Sequence, residues 1–193
     1  MNILFINPST SRYTRSISVP LGLLSIASYL ETKGHTVMIY DRTVSKCDLQ
    51  SVINSFNPQL SGISLVSYKS ISDTLKIAKE LKEQGIPVIL GGPLPSVLTE
   101  LALAYNYIDA VSLGEGEETW LDLARCYDSK SISLDTIPGL AFKSSKGEVV
   151  YTSSRPFVDL SKLPPINWDL IDVPKYYQSS YGCQKMLYLY SAK

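Results

Sequence analysis

A five-stranded parallel α/β sheet with helices on both faces is the fold class this sequence predicts, and three observations predict it. Two segments, Pro20 to Asp41 and Ile71 to Gly92, each read as an amphipathic helix, a stopping glycine and then an apolar strand. Further aliphatic runs at Ile3–Asn7, Leu60–Val66 and Ala110–Leu113 are each followed by a helix-like segment. Short strands alternating with helices build right-handed βαβ units, so three layers are expected, with 2-1-3-4-5 as the strand order.

Strand one, Ile3 to Asn7, is bounded by Pro8, and the polar stretch PSTSRYTRSISV forms a long loop of the kind that tends to be functional. Pro20 suits a first helical turn; Leu23, Ile26, Ala27 and Leu30 share one face, and Gly34 stops the helix before strand Thr36–Asp41. Asp48 is a plausible cap for a short helix to Phe56, which leads into strand Leu60–Val66. Ile71, Thr74, Leu75, Ala78 and Leu81 share the next helical face, Gly85 closes it, and the run Val88–Leu90 ends in Gly91-Gly92-Pro93. A helix from Ser96 to Tyr105 precedes strand Ala110–Leu113, and Gly114-Glu115-Gly116-Glu117-Glu118 opens a last helix carrying Trp120, Leu121 and Leu123. Beyond Ser129 the helical period is lost. Gly139–Lys143 and Glu148–Ser153 flank SSKG as a β-hairpin, Arg155–Tyr177 is proline-rich and too apolar for a free linker, and Met186–Tyr190 reads as the start of a strand. The expected divisions are residues 1–130, a hairpin extension over 131–154, and a linker with a first strand over 155–193.

Composition narrows the function. Eighteen basic and eighteen acidic residues balance among 193, leaving no electrostatic footprint for nucleic acid or an anionic membrane surface. The start MNILFINP has no basic region, and no apolar run approaches the ~20 residues that span a bilayer, so a cytoplasmic protein is expected. Cys47, Cys126 and Cys183 are far apart, as for reduced intracellular thiols, and offer no iron–sulfur or zinc spacing.

Ligands of open parallel sheets sit at the carboxyl ends of the strands, here Asn7, Asp41, Ser64 to Ser67, Gly91-Gly92 and Gly114. A dinucleotide fingerprint after strand one is excluded, because Asn7 to Val19 contains no glycine; Gly114-x-Gly116 lacks the third glycine and carries glutamates where pyrophosphate would sit. The clustered aspartates of a phospho-receiver domain are missing as well. Ser9, Thr10, Ser11 and Thr14 could serve an FMN phosphate, but without the glycine that usually permits the tight loop. His35, the one histidine, precedes strand two at the amino edge, a strand length of ~20 Å from that end, which excludes hydrolytic catalysis through it. The sharper clue is Gly91-Gly92-Pro93: two glycines ending an interior strand leave a floor without side chains, and Ser64, Val66 and Ser67 end the neighbouring strand beside it. Together they form a slot.

In these residues the chain resembles the amino-terminal cobalamin-binding domain of cobalamin-dependent radical SAM proteins, the group of anaerobic magnesium-protoporphyrin monomethyl ester cyclases and many methyltransferases. The resemblance runs through Pro20-Leu21-Gly22-Leu23, Gly34-His35-Thr36-Val37, Asp41, Val88 to Pro93, Gly114 to Glu117, Asp159-Leu160, Leu163-Pro164 and Trp168-Asp169-Leu170. It implies a flavodoxin-like (Rossmann-like) sheet that takes the nucleotide tail of cobalamin into a slot at the strands' carboxyl ends. Ser64, Val66 and Ser67 would line one wall, Gly91, Gly92 and Pro93 the other, Gly114, Glu115 and Gly116 the mouth, while Asn7, Pro8 and the loop to Val19 would meet the corrin edge. By the same resemblance Asp41-Arg42-Thr43 stands where methionine-synthase-like domains carry D-x-H, so Thr43 replaces the histidine that ligates cobalt and the cofactor is expected base-off, with no protein imidazole. The C-x3-C-x2-C of the radical SAM domain is absent, which implies a piece of a longer parent that holds the iron–sulfur cluster and S-adenosylmethionine, with clustered cysteines soon after Lys193. The chain is therefore expected to be a non-catalytic cobalamin-binding module partnering a radical SAM domain of its own parent. The alternative is a flavodoxin-like domain that binds FMN or docks to a protein.

Overall fold

The computed structural model describes residues 1–10, 17–129, 133–180, 183–187 and 189. Its centre is five parallel strands: β1 (Asn2–Asn7), β2 (Thr36–Asp41), β3 (Leu60–Ser64), β4 (Val88–Gly91) and β5 (Ala110–Ser112), in the order β2-β1-β3-β4-β5. This is the order expected from βα alternation. The hairpin β6 (Leu140–Lys143) and β7 (Val149–Tyr151) does not stand apart; it continues the same sheet antiparallel to β5, giving seven strands. Leu140 and Ala141 are fully buried opposite Ser112 and Val111, so the hairpin covers an edge that the parallel sheet would otherwise expose.

Alternation along β1 sorts the two faces of the sheet. Ile3 and Phe5 point to the layer of α1 (Leu21–Glu31) and α6 (Glu117–Ser129), where Leu23, Ala27, Leu30, Trp120 and Leu123 pack. Leu4 and Ile6 point to the layer of α2 (Leu49–Phe56) and α3 (Ile71–Glu83), with Val52, Ile53, Ile77, Ala78 and Leu81. All four β1 side chains are fully buried, each contributing about 1.5–3 kcal/mol. Asp48 caps α2 as expected, its carboxylate accepting the Ser51 N–H at 2.8 Å.

Three elements differ from expectation. The helix expected over Ser96–Tyr105 is two short ones, α4 (Pro93–Val97) and α5 (Thr99–Leu103), broken at Leu98. Pro93 suits a first helical position, which moves the start forward, and the Thr99 hydroxyl donates to the Pro95 carbonyl that the Thr99 N–H would take in a continuous helix. Strand β3 stops at Ser64 rather than Val66: Leu65 N–H still donates to Gly91 O at 2.8 Å, but β4 ends at Gly91 and the chain goes on to the 3-10 turn Tyr68–Ser70. The strand expected over Met186–Tyr190 lies earlier: β8 (Gln178–Ser180) and β9 (Cys183–Met186) pair antiparallel as a separate two-stranded sheet, so Met186 ends a strand rather than opening one. Of the expected continuation, residues 188 and 190 lie outside the described residues.

Residues 155–177 lie along the protein as a strap. The Arg155 guanidinium, 12% exposed, donates to Thr119, Glu118 and Asp122 on α6. Asn167 N–H donates to the Ser28 hydroxyl and its side-chain amide to Glu31 on α1. Tyr176, 1% exposed, joins Val19 and Leu24 in a small apolar cluster.

Candidate functional site

Parallel pairing brings the strand exits to one edge. Asn7 is level with Asp41 across β1 and β2, and Ser64 with Gly91 across β3 and β4. The β3 and β4 exits are laced by Leu65 N–H to Gly91 O at 2.8 Å and Leu94 N–H to Leu65 O at 3.3 Å. Ser67 caps the 3-10 turn Tyr68–Ser70 through its hydroxyl, which accepts the Lys69 N–H, and Pro93 opens α4.

The glycines divide by what faces them. A Cβ on Gly91 would find no atom within 4 Å, and the same holds for Gly114. Gly92, at φ +101°, serves the protein itself: its Cβ would stand 2.9 Å from the Leu65 carbonyl oxygen. Gly116 is buried, and its Cβ would stand 2.4 Å from Ile26 Cδ1, so its missing side chain lets α6 approach α1. Glu115 accepts the N–H of Val158 at 2.5 Å and thereby holds the strap.

Asp41 is 4% exposed. Its carboxylate accepts from Thr43 N–H at 2.8 Å, Thr43 Oγ1 at 2.7 Å and Tyr176 Oη at 2.8 Å. Both Asp41 and Thr43 are thus at the edge but turned to one another and to the strap. Burial, and then the Asp41 charge, push the Tyr176 hydroxyl well above the usual phenol range. Close by, Asp73 in the first turn of α3 accepts from Ser9 N–H and takes the Arg42 guanidinium. Burial is the largest single influence on Arg42 and opposes its charge, but the hydrogen bonds and charge of Asp73, with those of Tyr40, together raise its pKa above the ordinary value. His35 lies at the opposite edge, its Nδ1 3.5 Å from the terminal amine of Met1; burial, then that charge, lower its pKa.

Asn7, Pro8, Ser64, Val66, Ser67, Gly91, Gly92, Pro93 and Gly114 therefore share the carboxyl edge. Much of the loop from Pro8 to Val19 lies outside the described residues. Side chains that sequence reasoning did not mark also stand outward. Beyond the β3 exit Val66 is 63% exposed and Tyr68, two residues on, 72%; Val97 at the end of α4 and Leu101 in α5 are also outward, 80% and 60% exposed. A surface hollow of about 440 Å³ borders Arg42, Ser45 to Gln50 and Lys76 beside the β2 exit. Another, of about 550 Å³ between Asn57–Gln59 and Gln84–Ile86, lies at the amino edge, away from these exits. Among the described residues no cluster of three His, Cys, Asp or Glu is placed to hold a metal ion. None of their helices is long and apolar enough to cross a membrane.

The B12 binding domain family matches residues 13–124, more than half of the chain. The chain belongs to this family. It is 29% identical over 194 aligned residues to the anaerobic magnesium-protoporphyrin IX monomethyl ester cyclase of Rubrivivax gelatinosus, covering 91% of this chain and 34% of the relative. To the cytidylyl-2-hydroxyethylphosphonate methyltransferase of Streptomyces wedmorensis it is 27% identical, covering 81% and 34%. This B12-binding chain thus spans about a third of the length of the curated relatives it matches. Among solved structures, the cobalamin-dependent S-adenosylmethionine radical enzyme OxsB, with aqua-cobalamin and S-adenosylmethionine bound, superposes with a TM-score of 0.71 at 19% identity, over 81% of this chain and 22% of that one. The radical S-adenosylmethionine methyltransferase TsrM of Kitasatospora setae, with cobalamin and a [4Fe-4S] cluster bound, gives 0.67 at 22% identity, over 80% and 31%. At these identities the structural likeness speaks for the fold.

Proposed function

We propose that this chain binds cobalamin at the carboxyl edge of its sheet and serves as the cofactor-holding module of a longer, cytoplasmic radical SAM enzyme, a methyltransferase or cyclase. The observation that carries the reading is the open floor at Gly91. It is level with Ser64, has no atom within reach of an added Cβ, and accepts the Leu65 N–H of the exit whose next residue is the outward Val66. Such a cradle suits a large ligand with a polar tail and an apolar ring edge. Ser64 and Ser67 offer hydroxyls to the tail, Gly91 and Gly114 supply clearance, and Gly92 with Pro93 fixes the wall behind them. Asn7 and Pro8 would stand toward the ring.

Cobalt chemistry would come from the bound cofactor; the protein's part is to seat it and shield one face. The one histidine is at the amino edge, and the Thr43 hydroxyl is committed to Asp41, so this chain offers no imidazole to cobalt. The cofactor should be held base-off. Balanced charge gives no reason to expect nucleic acid or membrane as a partner. The partner we propose is a radical SAM domain in the part of the parent that the relatives possess and this chain does not span.

Absorbance titrations with hydroxocobalamin and with FMN test the reading, on the wild-type chain and on Gly91→Leu. Gly91 has no positive φ and open space at its Cβ, so the variant should keep its circular dichroism and thermal midpoint while losing at least about tenfold in cobalamin affinity. Uptake of FMN but not cobalamin, or native affinity in Gly91→Leu, would overturn it. In the electron paramagnetic resonance of bound cob(II)alamin, axial nitrogen coupling from dimethylbenzimidazole would overturn the base-off part, and coupling from a protein nitrogen would overturn the absence of a protein ligand.

A further inference from the structure

We infer that Asp73 is a positioning residue of the cobalamin site, tying the exits of β1 and β2 to the first turn of α3; the inference rests on the reading proposed above. An acidic residue in a first helical turn ordinarily complements its own helix N-terminus. Asp73 does otherwise. Its Oδ2 accepts the Ser9 N–H at 2.7 Å and Arg42 Nε at 2.9 Å, and its Oδ1 accepts Arg42 Nη2 at 3.1 Å. The fork is bidentate and half-sheltered, with the two side chains 24% and 18% exposed, so it is held more firmly than a surface ion pair. Arg42 also reaches back to Tyr40 Oη at 3.3 Å, while its backbone N–H donates to Asn7 O at 3.0 Å.

The backbone on both sides of Pro8 is thereby pinned. Asn7 O is held by Arg42 and Ser9 N–H by Asp73, and Pro8, between them, has no N–H of its own to satisfy. A strand exit fixed before the ligand arrives costs less ordering when it binds. One carboxylate from α3 thus presets the Asn7–Pro8 step that the proposed site offers to the corrin edge.

The test compares wild type, Asp73→Asn and Asp73→Ala for hydroxocobalamin affinity, the visible spectrum of bound cofactor, and thermal midpoint without ligand. Asparagine retains an oxygen that can accept from Ser9 but gives up the charge paired with Arg42. The expected order of affinity is wild type, then Asp73→Asn, then Asp73→Ala weaker by about tenfold, with an altered bound spectrum. A residue with a merely structural role would lower the midpoint and leave the affinity and spectrum of the folded protein unchanged; that result overturns the inference. Should Asp73→Ala fail to fold, Arg42→Lys, which keeps the charge and removes the fork, should weaken binding in the same direction, and native affinity there is equally decisive against it. Failure of the wild type to take up cobalamin would instead overturn the reading of the site, and this role with it.

Discussion

Removing one oxygen atom from the strap should be felt by the whole domain. Tyr176 and Asp41 are 135 positions apart, 1% and 4% exposed, and joined by a 2.8 Å hydrogen bond. Tyr176→Phe keeps the ring in its cluster with Val19 and Leu24 and takes away only the donor. A buried hydrogen bond to a charged group is worth about 1.5–3 kcal/mol. Two donors from Thr43 remain on the carboxylate, so the lower part of that range, about 2 kcal/mol, is expected. For a chain of 193 residues this lowers the thermal midpoint by about 4–8 °C, measured by circular dichroism at neutral pH. The same experiment has an alkaline arm. The Tyr176 hydroxyl is raised in the folded state, first by burial and then by Asp41, whereas the unfolded chain releases that proton near pH 10. Above that pH the unfolded state binds fewer protons, so stability falls as pH rises, and wild type should lose more between about pH 10 and 11 than Tyr176→Phe does. A midpoint within about 1 °C of wild type, or parallel alkaline curves, would refute the claim that this hydrogen bond stabilises the folded chain.

Two further perturbations address the layers on the α1 and α6 side. Gly62→Ala places a Cβ 2.4 Å from Trp120 Cη2 and 2.8 Å from Phe5 Cδ1, inside an edge-to-face ring pair; neither ring can retreat, and urea denaturation should show a loss of about 1–3 kcal/mol, an unchanged midpoint arguing against this packing. Arg155→Ala frees the first anchor of the strap from Glu118 and Asp122, so limited proteolysis should cut residues 155–177 faster while the sheet stays protected; identical cleavage would show that the ion pairs do not hold it.

The strand order was legible because it rests on local signals: hydrophobic period, stopping glycines and the rule that crossovers are right-handed. What was not legible depends on partners far away in sequence. At the break at Leu98 the Thr99 hydroxyl of α5 takes a carbonyl of α4, a choice that helical periodicity does not record. The apolar run at Met186 reads equally well as an opening or a closing strand; pairing of Gln178 with Met186 makes it the latter. In Arg155–Tyr177, composition showed that the segment could not be a free linker. Its anchorages on α6, α1 and β2, and at Glu115, use side chains up to 139 positions distant.

For the site, the sequence shows where glycines are and not what stands opposite them. Gly91, Gly92 and Gly116 all invite the same reading, a place where ligand approaches backbone. The structure separates them: open space faces Gly91, the Leu65 carbonyl faces Gly92, and Ile26 faces Gly116. The consequence is practical. Gly92→Val would strain a left-handed turn and press on β3 whether or not a ligand binds there, so its failure would say nothing about the slot, whereas Gly91→Leu adds bulk only to the solvent side. Asp41 follows the same logic. Its place at the end of β2 made it a candidate to touch a ligand, yet its carboxylate is filled by Thr43 and Tyr176, and the carboxylate that joins the strand exits is Asp73, inconspicuous among the acids of an amphipathic helix. Position in a parallel sheet tells which edge carries function; which side chains on it are free to act is decided by neighbours that only the folded chain supplies.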